Sequence, residues 1–260
     1  IAVSKLMPAL TALGRGDIAS PDFALVTVTH AAMGAPAFGV APGGAEIWVT
    51  LRTQVDARMA ALCEAAEALV RWEHPEGGMV SPNEFISLAE ETGFIINLGN
   101  WMLHEVCKNY KKWMEQGMAP IKVSVNYSSI QFFERNFVEN IINIISEYEL
   151  DPHFLIMEIT ESDFMKNPEK AIVDIKRLQA EGIQVALDDF GTGFSSLSYL
   201  NSFNIDILKI DRSFIKNVTL DDASTVITRS VIDLAQELRI KLVADGIESF
   251  EQLSYLKKLN

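Results

Sequence analysis

Seven polar residues, Glu67, Asn126, Glu158, Asp188, Asp189, Lys209 and Asp245, are spaced so that they could act together. Five are carboxylates, one is a carboxamide and one is an ammonium. Uncompensated acids gathered at one place repel one another and raise one another's pKa. Divalent cations remove that conflict. An oxygen-only donor set suits Mg²⁺ or Mn²⁺ rather than zinc, and neither His nor Cys stands at these positions. The adjacent pair Asp188-Asp189 suggests one carboxylate bridging two ions while the next reaches the second. Two metals about 3.5–4 Å apart can activate a water and stabilise the leaving oxygen of an in-line phosphoryl displacement. Lys209 would add positive charge for the oxygens that develop negative charge.

A lone acid at a strand end is usually a helix cap or a surface charge, so the joint pattern has to carry the argument. That pattern depends on the elements beneath it. Short Val/Ile/Leu-rich runs predict strands at Ala68–Trp72, Ile121–Tyr127, Phe154–Thr160, Gln184–Asp188, Ile207–Ile210 and Lys241–Ala244, each of the kind buried on both faces. Glu67 lies in the segment feeding the first; the other polar residues fall within or at the C-terminal ends of the rest. Amphipathic helices alternate with these strands. Ser81-Pro82-Asn83-Glu84 reads as a capping box opening a helix through Ala89. Asn100 is placed to cap a helix that stops at Gly117. Asp221 or Asp222 opens another, with Val226, Ile227, Val231, Leu234 and Leu238 as its apolar stripe. Alternation of this kind implies parallel pairing. An open sheet would spread the polar residues along an edge, whereas a closed one brings them to a single mouth. The expected fold is therefore α/β, a (β/α)8 TIM-like barrel. Gly191-Thr192-Gly193 lacks the strand–GxGxxG–helix context of a dinucleotide site.

Bulk properties narrow the partners. The net charge is −13 and no Lys/Arg-rich run exists, which argues against polymeric nucleic acid, whose binding needs clustered cations. Cys63 and Cys107 are far apart and suggest neither a disulfide framework nor a zinc site, so a reducing cytoplasm is expected. The apolar stretch from Ala24 to Leu51 is broken by His30, Pro36, Pro42 and glycines. It reads poorly as a span, and no membrane contact is expected. Composition shifts near residue 73, from Ala/Gly-rich to Ile/Lys/Asn-rich.

Over about residues 64–259 the chain resembles the EAL domain family of bacterial cyclic di-GMP phosphodiesterases. The carrying motifs are Glu67-Ala68-Leu69 with Val70-Arg71-Trp72, Ser81-Pro82, Val125-Asn126-Tyr127-Ser128, Glu158-Ile159-Thr160-Glu161-Ser162, the run Asp188 to Leu197, and Leu208-Lys209-Ile210-Asp211. The resemblance implies that Glu67, Asn126, Glu158 and Asp188 hold a first metal. Asp188 would bridge to a second metal, with Asp189 and Asp245 on that side. Glu67, Lys209 and Asp245 would be catalytic and Arg71 would contact the ligand phosphate. Glu161 would anchor the loop after Asp189, with Asp211 and Glu248 as supporting acids. It also implies hydrolysis of cyclic di-GMP to linear pGpG in second-messenger signalling, two Mg²⁺ or Mn²⁺ ions, and a homodimer formed through the loop after Asp189.

The chain departs from the family in three places. Ala244-Asp245-Gly246 stands where the family has Ala-Glu-Gly, one methylene longer. Residues before Glu67 lack the family's Tyr-Gln-Pro strand, with Gln54-Val55-Asp56-Ala57 a partial echo. Asn260 precedes the closing strand. The expected organisation is thus an N-terminal segment, residues 1–60, as a source for the first barrel strand, and an EAL domain over 61–260 without its C-terminal strand. The alternative function is a weak or inactive EAL domain acting as a cyclic di-GMP receptor.

Overall fold

The computed structural model describes residues 65–74, 78–118, 120–192, 204–218 and 222–259, together with the backbone of three short strand segments before residue 52. Those segments are β1 (Ala32–Met33), β2 (Ala45–Glu46) and β3 (Trp48–Leu51). The remaining strands are β4 (Ala65–Leu69), β5 (Trp72–His74), β6 (Gly78–Val80), β7 (Lys122–Asn126), β8 (Leu155–Thr160), β9 (Gln184–Phe190), β10 (Ile207–Ile210) and β11 (Lys241–Ala244). Helices α1 (Pro82–Glu91) and α2 (Ile95–Glu115) precede β7, α3 (Ser129–Phe132) and α4 (Phe137–Glu147) precede β8, and α5 (Glu161–Phe164) and α6 (Pro168–Ala180) precede β9. The short α7 (Arg212–Lys216) and the longer α8 (Asp222–Leu238) lead to β11, and α9 (Phe250–Leu259) follows it.

The main sheet has seven strands in the order β11-β10-β9-β8-β7-β4-β3. From β4 to β11 every pairing is parallel. The exception is the edge, where β3 runs antiparallel to β4, pairing Thr50 with Glu67. The six strands read from the sequence thus all pair in parallel, and β3 lies outside that set. Among the described residues the sheet is a barrel open between β3 and β11.

Alternation along these strands sorts residues onto two faces. One face carries Val123, Val125, Leu155, Met157, Ile159, Val185, Leu187, Leu208 and Ile210 into a large core against α2, α4, α6 and α8. The opposite face has a small apolar layer of Ile156, Ala186 and Ile207, with Val243 against it. Two residues further along each of these strands come Glu158, Asp188, Lys209 and Asp245. The apolar layer is thus the floor of the mouth, and the polar residues stand directly above it.

Several local expectations are corrected. The first strand is Ala65–Leu69, not Ala68–Trp72, so Glu67 lies inside a strand. An alanine-rich run has weak strand preference of its own, and pairing on both sides decides it. Ser81 precedes α1 without a side-chain cap; its backbone carbonyl accepts the amides of Glu84 and Phe85 instead. Helix α2 starts at Ile95, so Asn100 lies within it and accepts a hydrogen bond from Asn140 at 2.7 Å. On α8 the buried residues are Ser224, Thr228, Val231, Ile232 and Ala235, whereas Val226 is 63% and Ile227 39% exposed. Of the stripe read from the sequence, Val231, Leu234 and Leu238 pack on the core, and only Val226 and Ile227 face outward. Among the described residues no helix is long and apolar enough to cross a membrane.

Candidate active site

Strand register sets the heights of the site residues. Asn126 is level with Glu158, Glu67 with Ser124, and Asp188 with Thr160. Asn126 Nδ2 donates to Glu67 Oε1 at 2.8 Å. That bond uses the carboxamide's donor and leaves its oxygen available as a ligand. Lys209 Nζ donates to Glu158 Oε2 and to Asp188 Oδ2, both at 2.8 Å. The Lys209 side chain is 8% exposed and that of Glu158 5%, so this is a charged triad in a low-dielectric setting.

Burial alone would lower the Lys209 pKa, but Glu158, Asp188 and Glu67 outweigh it and hold the ammonium charged. Burial pushes Glu158 up to about 7; Lys209 opposes the shift, while the charges of Glu67 and Asp188 add to it. Within this pair the lysine charge is fixed and Glu158 is the member that titrates.

A second acid pair lies at the rim. Between Leu208 and Ile210 the β9–β10 register slips by one residue, which places an extra residue in the Asp188-Asp189 stretch of β9. Strict alternation would send these two aspartates to opposite faces, and a bulge of this kind relieves that constraint. Asp189 has φ 55°, a left-handed conformation unusual for a non-glycine residue. Burial, the charges of Asp188 and Asp211, and a hydrogen bond with Asp211 push Asp189 up to about 6. For Asp211 burial works upward, but hydrogen bonds from the Ser213 hydroxyl and amide, from Asp189 and from the Arg212 amide bring it below the usual range. Of the two, Asp189 is therefore the one that binds a proton more readily. Asp211 also caps α7 by accepting the Ser213 amide at 2.9 Å.

Glu161, buried at the start of α5, accepts the Gly191 amide at 3.0 Å. It thereby fixes the chain where it leaves β9; residues 193–203 beyond lie outside the described residues. The half-buried Asp245 donates its amide to the Ile210 carbonyl at 3.1 Å. This extends the β10–β11 ladder to the level of Asp211. Arg71 follows β4 by two residues and donates to the Val70 carbonyl. Glu248 is exposed, with its amide bonded to Gln252. Gln54–Ala57 lie outside the described residues.

Among the described residues no three His, Cys, Asp or Glu side chains make a ready ligand cluster by themselves. The donor chemistry nevertheless fits a hard cation. Glu67, Asn126, Glu158 and Asp188 offer oxygen from four neighbouring strands, and their mutual repulsion is what a cation relieves. Lys209 meets that requirement with one positive charge. Residues that sequence reasoning passed over are Ser129 and Gln131, both buried in α3, the helix that follows Asn126. Their signal was the Ser128-x-x-Gln131 spacing, which is that of a capping box.

An open parallel (β/α) barrel with acids and one lysine at the C-terminal ends of its strands is the architecture of a barrel enzyme whose site sits at that mouth. Residues 46–260 match the EAL domain family, and the chain belongs to it. Over 193 residues it is 39% identical to MucR of Pseudomonas aeruginosa, named a bifunctional diguanylate cyclase/cyclic di-GMP phosphodiesterase, covering 74% of this chain and 28% of that protein. Over 192 residues it is 37% identical to the cyclic di-GMP phosphodiesterase PdeR of Escherichia coli, covering 74% of this chain and 29% of PdeR. The chain thus spans less than a third of either relative. Among solved structures, the PaMucR phosphodiesterase in complex with c-di-GMP superposes with TM-score 0.74 at 32% identity, over 91% of this chain and 86% of that one. The EAL domain of Mycobacterium smegmatis DcpA gives TM-score 0.62 at 33% identity, over 75% and 78% respectively.

Proposed function

We propose that the chain hydrolyses cyclic di-GMP to linear pGpG as a metal-dependent phosphodiesterase. The observation that carries this reading is the convergence of Glu67, Asn126, Glu158, Asp188 and Lys209 on one mouth, linked by three hydrogen bonds of 2.8 Å. Glu67, Asn126, Glu158 and Asp188 would hold a first Mg²⁺ or Mn²⁺, and Asp188, Asp189 and Asp245 a second. When bound, such ions supply Lewis-acid charge and a water of lowered pKa. In the reaction one P–O ester bond is replaced by a bond to a water oxygen, which leaves a phosphomonoester and a free hydroxyl. Lys209 offsets charge on the phosphate oxygens, Arg71 orients the phosphate, and Glu161 keeps the loop after Asp189 at a fixed starting point. Asp211 holds Asp189 in place, and Glu248 stands beyond the last site strand as a supporting acid.

Residues 46–260 would form one domain, with β3 as the first barrel strand. Homodimerisation through the loop after Asp189 and a cytoplasmic location complete the reading. Cyclic di-GMP incubated with the protein and Mg²⁺ or Mn²⁺ should yield pGpG, and Glu67→Ala should abolish the yield. A folded protein that gives no product with either metal across pH 6–9 rejects the proposal. One residue favours a second reading, a receptor that binds without turnover: Asp245 is a methylene shorter than the family's glutamate, and small misplacements can cost about 10²-fold in rate. If Asp245 limits turnover, Asp245→Glu should raise the rate; tight calorimetric binding without hydrolysis in both proteins selects the receptor.

A further inference from the structure

Helix α2 contains a glycine, Gly99, in its first half, four residues after its start at Ile95. Glycine inside a helix is less favourable than alanine, and no left-handed backbone requires it here. Its surroundings supply a reason. A Cβ at Gly99 would lie 1.6 Å from Gln131 Nε2 and 2.8 Å from Gln131 Cδ. The carboxamide of Gln131 fills the space that a methyl group on α2 would take.

Gln131 is itself 6% exposed, on the third residue of α3. Its Oε1 accepts the Ser128 amide at 3.2 Å. Ser128 follows Asn126 by two residues, and Tyr127 between them donates its amide to the Glu158 carbonyl at 2.9 Å. On the other side of the turn, Ser129 Oγ accepts from Lys166 Nζ at 2.7 Å, and the same ammonium pairs with Asp163 at 2.7 Å. The Asp163 amide in turn bonds Thr160 Oγ1, at the end of the strand that carries Glu158. The turn leaving β7 is therefore held from two sides: by Gln131 seated in the α2 notch, and by Lys166 reaching from the segment after β8.

We propose that Gln131 and Gly99 form a positioning lock that sets the Asn126 carboxamide at its working height. Gln131 is a positioning residue, acting through its bond to the Ser128 amide and so through the turn. The lock explains two choices at once, a glycine inside α2 and a carboxamide buried against it. This inference rests on the metal-binding reading of Asn126. Groups that hold a ligand in place typically change metal affinity by about 10–100-fold when removed.

The test compares parent, Gln131→Met, Gly99→Ala and the double variant Gly99→Ala/Gln131→Ala, with Mn²⁺ affinity read by calorimetry and stability by urea midpoint. Gln131→Met keeps the volume and drops the hydrogen bond to Ser128; it should fold and bind Mn²⁺ roughly 10–100-fold more weakly. Gly99→Ala should lower the urea midpoint because its methyl meets the Gln131 amide. The double variant should recover the midpoint but not the affinity, since a shorter side chain clears the notch without restoring the bond. This split between stability and affinity is what a merely structural contact would not produce. Mn²⁺ affinity within twofold of the parent in Gln131→Met and in the double variant would overturn the lock while leaving the proposed function standing. A folded parent that binds no Mn²⁺ would overturn both.

Discussion

Replacing Lys209 by methionine tests whether the polar mouth is held together as described. The methionine keeps the volume and removes the charge that stands 2.8 Å from both Glu158 and Asp188. At an effective dielectric of about 20, each such contact is worth roughly 6 kcal/mol of Coulomb attraction. Desolvation of the three charges cancels most of this, and removing one member of a buried ion pair costs about 3–5 kcal/mol because its partners are left uncompensated. With Lys209 gone nothing opposes the upward push on Glu158, and the penalty is largest toward pH 8, where its charged form is favoured. At pH 5 Glu158, already pushed up to about 7 in the parent, takes up a proton and one of the two orphaned charges disappears. The cost should then fall to roughly half, about 1.5–2.5 kcal/mol. Urea unfolding followed by tryptophan fluorescence in EDTA, parent against Lys209→Met at pH 5 and pH 8, measures both values. A loss below about 1 kcal/mol at pH 8, or an equal loss at the two pH values, would refute the reasoning.

Three further outcomes follow from the same structure. In EDTA the parent itself should lose stability as pH rises from 5 to 8. Glu158 and Asp189 have folded pKa values raised to about 7 and about 6, so the folded state binds their protons more tightly than the unfolded chain does. The resulting stability is fully present below their ordinary values and is lost as pH climbs through 6 and 7. Carboxylates held below the usual range, such as Asp211, are already ionised in this window and add no slope. A urea midpoint that rises over the window, or a slope unchanged in Glu158→Gln, contradicts the assignment. Gly246→Ala should cost about 1–3 kcal/mol: Gly246 has φ 72°, and a Cβ there would lie 2.5 Å from that of Arg212. Chemical denaturation as resistant as the parent's would count against the close approach of the Asp245 loop to α7. Finally, Ile232→Ala should lose about 2–5 kcal/mol, and Val226→Ala should stay within about 0.5 kcal/mol, since Ile232 is 4% and Val226 63% exposed. The opposite ranking in thermal or urea unfolding would return α8 to the stripe read from its sequence.

Much of the site was legible because its signal is local. A strand places every second residue on one face, and the runs ending in Glu158, Asp188 and Lys209 needed only that rule. The placement of β10 and β11 followed from their continuous apolar runs, and the carboxylate-rich mouth followed from residue type at strand ends. What the sequence alone determined is therefore the inventory: oxygen donors, one lysine, a barrel to converge them, and a departure at Asp245. Tertiary structure decided the relations among them. The extra residue in β9 that frees Asp189 to meet Asp211 is a register between two strands, and no pattern within one strand contains it. Lys209 reaches both Glu158 and Asp188 only because β10, β9 and β8 lie side by side. The antiparallel β3, the inward face of α8 and the seat of Gln131 on Gly99 depend likewise on what a neighbour presents. Periodicity records which side of an element is apolar, whereas heights, pairings and close approaches are properties of two elements at once; only the folded chain supplies the second.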